Sequence, residues 1–498
     1  MSTSADTARW RPAPTTVFRH AMVALVVALS TAVVCRVVFD IDVGARRALV
    51  VVITTAAAML VSTLPIRAIP SAALVLVAVV PPGLFPEQLP RIVTPASIVF
   101  AGWVVRRLLA RGKWTIDRPS GAAAAMMVAL SAWCVVATAA SVDMRVSIGW
   151  TTGVLAVIAP AVLLVSADEA RLVRRTWCVL SVPLAMYLVV ESFLRSNVLF
   201  GSLPGVGDPQ HWSSYRSTGA FGHPLAAGTF FAVAFALLVG EALDARGRAR
   251  IAAAVGAVVA FDAVLCTIAR GSLIAALAGL VVVAAAVAIT ERDRLRRAIT
   301  NIRPSMSLRT VAVGVVAAVA VWVTVDRLGA VIARATSTAA ARSNGARVEG
   351  IAVALDGAGA SGWLGVGPGA SQRAVDAFNV TDVPIENSYL QLLLSIGIPG
   401  MVLFCALIAV AAVAATRRRD WGGLGAVVTL ALSIGTYNMI DARLAYHLLI
   451  GLVLMIALNS RRPAPSPPAE PVFALPAHPP SQLRQRRKVS SKRRKKRR

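Results

Sequence analysis

Residues Glu386 to Phe404 read ENSYLQLLLSIGIPGMVLF. A polar Glu-Asn-Ser-Tyr string leads into an apolar run interrupted by Gly-Ile-Pro-Gly. Acidic, amide and phenolic groups therefore stand at the mouth of a segment fit for lipid. Apolar stretches of roughly 16 to 25 residues recur from His20 to Ser460, the length needed to cross about 30 Å of hydrocarbon. They read as helices, because an open sheet would leave backbone donors and acceptors unpaired in lipid. The expected fold class is all-α: a polytopic membrane helix bundle of about 14 spans (12–14). The first span centres near Ala28, the eleventh near Ala317 and the last near Leu452. The first run, Ala21 to Phe39, lacks a small-residue cleavage site and reads as an anchor, not a removed signal peptide.

Composition agrees with this reading. With 57% hydrophobic residues, 15% charged and a mean hydropathy of +0.70, soluble catalysis in the cytosol is excluded. Cys35, Cys134, Cys178, Cys266 and Cys405 lie inside apolar runs without a CxxC pair, so neither a disulfide framework nor a zinc site is expected, and no metal or cofactor is assigned. The net charge of +27 is concentrated between apolar runs and in Arg484 to Arg498, RQRRKVSSKRRKKRR. On a membrane chain this placement points to topology control and to attraction for anionic lipid, at about 1 kcal/mol per basic residue near the surface. A cytosolic protein contact is the second reading, and nucleic acid is not an expected partner.

The positive-inside rule puts Arg106/Arg107/Arg111/Lys113, Arg171/Arg174/Arg175, Arg246/Arg248/Arg250, Arg292 to Arg303 and Arg417/Arg418/Arg419 in cytoplasmic loops. Arg46 and Arg47 dissent. Residues 1–19 become a cytoplasmic N-terminus, 20–460 the membrane domain, and 461–498 a disordered, Pro-rich and polybasic cytoplasmic tail. Two longer hydrophilic segments, Arg195 to Gly222 and Asp326 to Glu386, then fall on the outer face. Loops of that length in a bundle are usually functional or disordered, and their Trp, Arg, His and Gly content favours function.

Four constellations could carry chemistry. In Arg216-Ser-Thr-Gly-Ala-Phe-Gly-His223-Pro224, the planar fork of Arg216 suits a diphosphate, while an interfacial arginine and a capping histidine are the plainer alternative. In Thr267-Ile-Ala-Arg270-Gly-Ser272 the connection is too short to carry Arg270 far from the bilayer, and an arginine there has either a partner, a job or a simple anchoring role. Arg342-Ser-Asn-Gly-Ala-Arg347 adds outer-face cations against the topology rule, which an anionic ligand explains. The nearby Ser361-Gly-Trp-Leu-Gly-Val-Gly-Pro-Gly369 allows either a plain turn or close approach to phosphate. Glu386-Asn387-Ser388-Tyr389 offers a carboxylate as general base, or simply a helix cap. Glu191, Asp262, Asp441 and His447 lie in or beside apolar runs and could mark a proton path. They show no repeated spacing between the two halves of the chain.

Taken in order, these strings resemble the O-antigen ligase and Wzy-type polymerase superfamily over roughly Tyr215 to Cys405. RSTGAFGHPLAAG is similar to its R-x-x-G-x-F-x-H/N-P segment and TIARGSLIAALAG to its T-x-S-R-G segment. SGWLGVGPG resembles its LLGVGPG stretch, and ENSYLQLLLSIGIPGMVLF its H-N-x-Y-L helix. The resemblance implies a metal-independent GT-C-like glycosyltransferase of the bacterial plasma membrane. Such an enzyme passes a glycan from a polyprenyl diphosphate to an acceptor hydroxyl of a glycan or glycolipid on the outer face. It implies that Arg216, Arg270 and Arg347 hold the diphosphate; His223, Arg342, Asn387 and Tyr389 are the further expected substrate-binding residues. Glu386, with Arg347 and Arg216, would be catalytic, Glu386 standing where the superfamily has a histidine. A polytopic transporter or flippase of a cell-envelope glycan precursor is the rival expectation from another class, and a non-catalytic assembly scaffold is the third.

Overall fold

The computed structural model describes residues 55–57, 59–81, 94–109, 121–201, 215–290, 323–333, 336–376, 378–379, 385–440 and 445–459. The expected spans near Ala28 and Ala317, the basic run Arg292 to Arg303, Asp441 and the tail 461–498 lie outside them. Among the described residues all regular structure is helical. The principal helices are α1 Ile69–Val79, α2 Pro95–Leu109, α3 Gly121–Ala139, α4 Met144–Leu163, α5 Ala167–Leu194 and α6 Pro224–Asp244. They continue as α7 Gly247–Cys266, α8 Arg270–Thr290, α9 Thr338–Ala360, α10 Ser388–Arg417, α11 Trp421–Ile434 and α12 Ala445–Asn459. Seven of them, α3 to α8 and α10, are long and apolar enough to cross a membrane, and α1, α11 and α12 are shorter apolar helices. The protein is a multi-pass membrane protein.

Polar groups of the described helices collect at two ends. At one end Arg174 of α5 reaches Glu241 of α6 at 2.7 Å and Asp420, the N-cap of α11, at 2.5 Å. Arg107 at the end of α2 lies 3.5 Å from Glu169, which closes a capping box with Ser166 at the start of α5. Arg246 and Arg417 also stand at this end, where α7 begins and α10 stops. The expectation that Arg174 sits in a loop is corrected here. Because α5 already begins at Ala167, Arg174 is a buried helix residue, and its charge is balanced inside the bundle.

α6 is the most enclosed span, with 78% of its apolar window buried. It packs on α5, α7, α8 and α11. Lipid gives apolar side chains no reason to prefer a neighbouring helix, so close approach through small residues does the work. Gly240 of α6 lies directly on Gly422 of α11, and Gly271 at the start of α8 on the Thr436 side chain.

α10 is broken at Gly397, whose φ of 65° and ψ of −174° leave the helical region ahead of Pro399. A break about 14 Å along a helix, at 1.5 Å per residue from Ser388, needs new partners for its freed groups. Each finds one. The Leu394 carbonyl accepts from Val366 N at 2.9 Å, the Ser395 carbonyl from Gly367 N at 2.9 Å, and the Ile396 carbonyl from Trp133 Nε1 at 2.7 Å. Ile398 N donates to the Trp363 carbonyl at 2.9 Å. The glycine string 361–369 is thus a plug for a broken helix. Gly365 has φ +85°, and a Cβ there would lie 2.5 Å from the Ser395 carbonyl oxygen, so the approach requires glycine.

Candidate active site

The opposite end of the bundle gathers the turns 215–223, 267–270 and 435–440, the start of α10 and the middle of α9. α10 begins with Asn387 as N-cap, its Oδ1 accepting from Tyr389 N at 2.9 Å and Leu390 N at 3.3 Å. Ser388 Oγ donates to the Tyr437 carbonyl at 2.7 Å and accepts from Met439 N at 2.9 Å, tying the start of α10 to the turn after α11. Tyr389 sends its hydroxyl to the Ala431 carbonyl at 2.7 Å. These bonds fix where Glu386, one residue before the cap, can point.

Glu386 meets Arg347 of α9. Arg347 Nε and Nη2 both donate to Glu386 Oε2, at 3.2 and 3.1 Å. The pair lines an open cleft of about 140 Å³ together with Gly350, Ile351, Ile385, Asn387, Leu390, Gly435 and Thr436. The volume is below the roughly 300–1,000 Å³ that bury a drug-sized molecule, so the cleft suits one part of a larger ligand. α9 is held here by a small satellite core, in which Val353, Ala354 and Ala358 pack on Leu393 and Leu394 of α10.

Of the other predicted groups, Arg216, His223, Arg270 and Arg342 do not line this cleft. Arg270 Nη2 donates to Asn344 Oδ1 at 3.4 Å, and Asn344 stands one turn before Arg347 on the same side of α9. Behind Arg270, Gly271 rests on Thr436, which lines the cleft. The turn ahead of Arg270 is sharp. Ile268 has φ +50° and is buried, an uncommon conformation for a β-branched residue that only a well-braced site sustains. Arg216 is buried and donates from Nε to the Thr267 carbonyl of that turn at 3.0 Å. His223 caps α6, its Nδ1 accepting from Leu225 N at 3.2 Å, and its ring stacks on Tyr437 at 4.8 Å between centroids. Arg342 is exposed, five residues before Arg347 and so on a different face of α9, and it is not among the cleft residues.

Residues 255–405 match the protein-family model described as O-Antigen ligase. That segment is similar to O-antigen ligases. The matched O-antigen ligase segment takes in Arg270, Asn344, Arg347 and Glu386. It leaves Arg216, His223 and Thr436 outside, although the fold brings their turns to the same end. No curated protein matches the chain. Within the matched segment, Asn344 gave no sequence signal of its own, because its amide becomes legible only through a contact 74 residues distant. Glu191 did give one, as a carboxylate in an apolar run, but its partners were not readable. It accepts from Tyr215 Oη at 3.0 Å, Thr218 N at 2.9 Å and Gly219 N at 3.0 Å. Burial, reinforced by the neighbouring Glu191 carboxylate, pushes the Tyr215 phenol above its ordinary value of 10.0.

Proposed function

We propose that this O-antigen ligase-type membrane glycan enzyme is a GT-C-like glycosyltransferase. It moves a glycan from a polyprenyl diphosphate carrier to an acceptor hydroxyl at the outer face of a bacterial plasma membrane, with both termini in the cytoplasm. The observation that carries this reading is the Arg347–Glu386 pair in an open cleft, flanked by Arg270 through Asn344. A cation and a carboxylate at one opening supply the two things the transfer needs. The acceptor oxygen attacks the anomeric carbon as the bond from that carbon to the phosphate oxygen breaks, and the polyprenyl diphosphate departs with the bonding pair. Arg347 takes the charge that develops on the leaving oxygen, the kind of electrostatic stabilisation worth about 3–4 kcal/mol in other sites. Glu386 takes the proton from the acceptor hydroxyl, once Arg347 has exchanged its carboxylate partner for phosphate.

A lipid-carrier analysis tests the proposal. A deletion strain accumulates polyprenyl-linked oligosaccharide and loses the corresponding surface glycan, and the purified protein in vesicles forms new glycosidic product without an ion gradient. An unchanged carrier pool and glycan profile rejects it. Substrate crossing the vesicle wall with no bond made favours a transporter instead.

A further inference from the structure

Arg216 is braced on both sides by one carboxylate. Glu191 lies in the last turn of α5 and is fully buried. An acidic side chain there opposes the helix dipole, so the helix itself gives no reason for it. Its partners do. Oε1 accepts from the Tyr215 hydroxyl and from Thr218 N, and Oε2 accepts from Gly219 N, groups that bracket Arg216 in sequence. Between them Ser217 is pinned to the Leu188 carbonyl through Oγ at 3.0 Å and to the Cys266 carbonyl through N at 3.1 Å. The backbone that carries Arg216 is therefore fixed at residues 217, 218 and 219, and Glu191 supplies two of the fixing acceptors.

We infer that Glu191 is a positioning residue for Arg216, setting the guanidinium where a prenyl diphosphate can be gripped; this rests on the reading of Arg216 as a diphosphate ligand. Glutamine cannot replace it. Each carboxylate oxygen accepts a backbone N–H, so an amide in the same place must turn its NH₂ towards one of those donors. The loss is felt by the 215–219 segment first, and by the ligand through Arg216.

Full-length protein in detergent micelles is titrated with farnesyl diphosphate as the probe, using wild type, Glu191→Gln, Arg216→Ala and the double variant. Glu191→Gln is expected to weaken binding about tenfold, the effect of losing a hydrogen bond to a charged group. In the Arg216→Ala background it adds less than about twofold, since residues acting through one another are not additive. In a transfer assay the donor KM rises by a similar factor while the acceptor KM holds, a split that general loosening of the fold does not produce. Wild-type binding by Glu191→Gln, or losses that multiply in the double variant, overturns the inference and leaves Arg216 as a ligand. No binding by wild type, or binding that Arg216→Ala leaves intact, overturns both. Where Glu191→Gln does not fold, Tyr215→Phe removes one donor and keeps the backbone pair. An approximately threefold loss then supports the inference, and none overturns it.

Discussion

Arg347→Ala removes a guanidinium that is 37% exposed, 3.1 Å from a Glu386 carboxyl that is 36% exposed. A pair so open to water contributes about 0–1 kcal/mol to stability, because solvent screens it and two side chains must be held in place. For a protein of this size that corresponds to a fall of no more than about 2–4 °C in Tm. The same guanidinium facing a departing diphosphate acts where charge develops, and removing such a donor costs about 10²–10³ in rate. The two magnitudes differ enough to be separated in one preparation. The assay is product formation by mass spectrometry in vesicles supplied with lipid-linked oligosaccharide, with a thermal scan of the same sample. Arg347→Lys keeps the charge without the planar fork and falls between the two. Transfer within about threefold of wild type refutes the catalytic argument, taking the donor-loss magnitude above as the expectation. A drop in Tm beyond about 10 °C refutes the stability argument and makes the pair part of the scaffold.

Further outcomes follow from other sites. Arg174→Ala strands Asp420, which is 3% exposed, and is expected to cost about 3–5 kcal/mol; adding Asp420→Ala recovers part of the lost Tm. Trp133→Phe leaves the Ile396 carbonyl without its donor, a loss of about 1–3 kcal/mol seen by thermal scan. Gly365→Ala pushes a methyl against the Ser395 carbonyl at a positive φ, so expression and Tm both fall, by about 1–3 kcal/mol in stability. Tyr215 holds its proton more tightly folded than unfolded, so its contribution is complete below pH 10.0 and is lost as the pH climbs through the higher folded value. The stability difference between wild type and Tyr215→Phe should therefore shrink above that pH, in unfolding measured across an alkaline series.

The long apolar helices were legible because hydrophobic length is a one-dimensional quantity, and α3 to α8 and α10 are each long and apolar enough to cross a membrane. The caps at His223 and Asn387 were legible too, as local residue types beside helix starts. α9 was not. Its sequence, TAAARSNGARVEGIAVALDGAGA, buries only a narrow face of Val, Ala and Gly against α10, so it reads as a hydrophilic stretch within the expected outer segment 326–386. Arg347 and Glu386 were singled out separately, but their ion pair spans 39 residues and depends on that unseen helix. The glycine string 361–369 was open between a turn and a phosphate cradle. Its actual partners, Leu394 and Ser395, follow from a helix break whose position sequence gives but whose neighbours it does not.

The plug in α10 has a consequence for how this protein can change. Loop tip, interrupted span and Trp133 each hold only part of a shared set of bonds, and none of the three is chemically complete alone. Substitutions in 361–369 and in 394–400 are therefore expected to travel together among descendants of this chain. Chimaeras that graft one string without its counterpart should strand amides in hydrocarbon and fail at insertion, whatever the state of the catalytic groups.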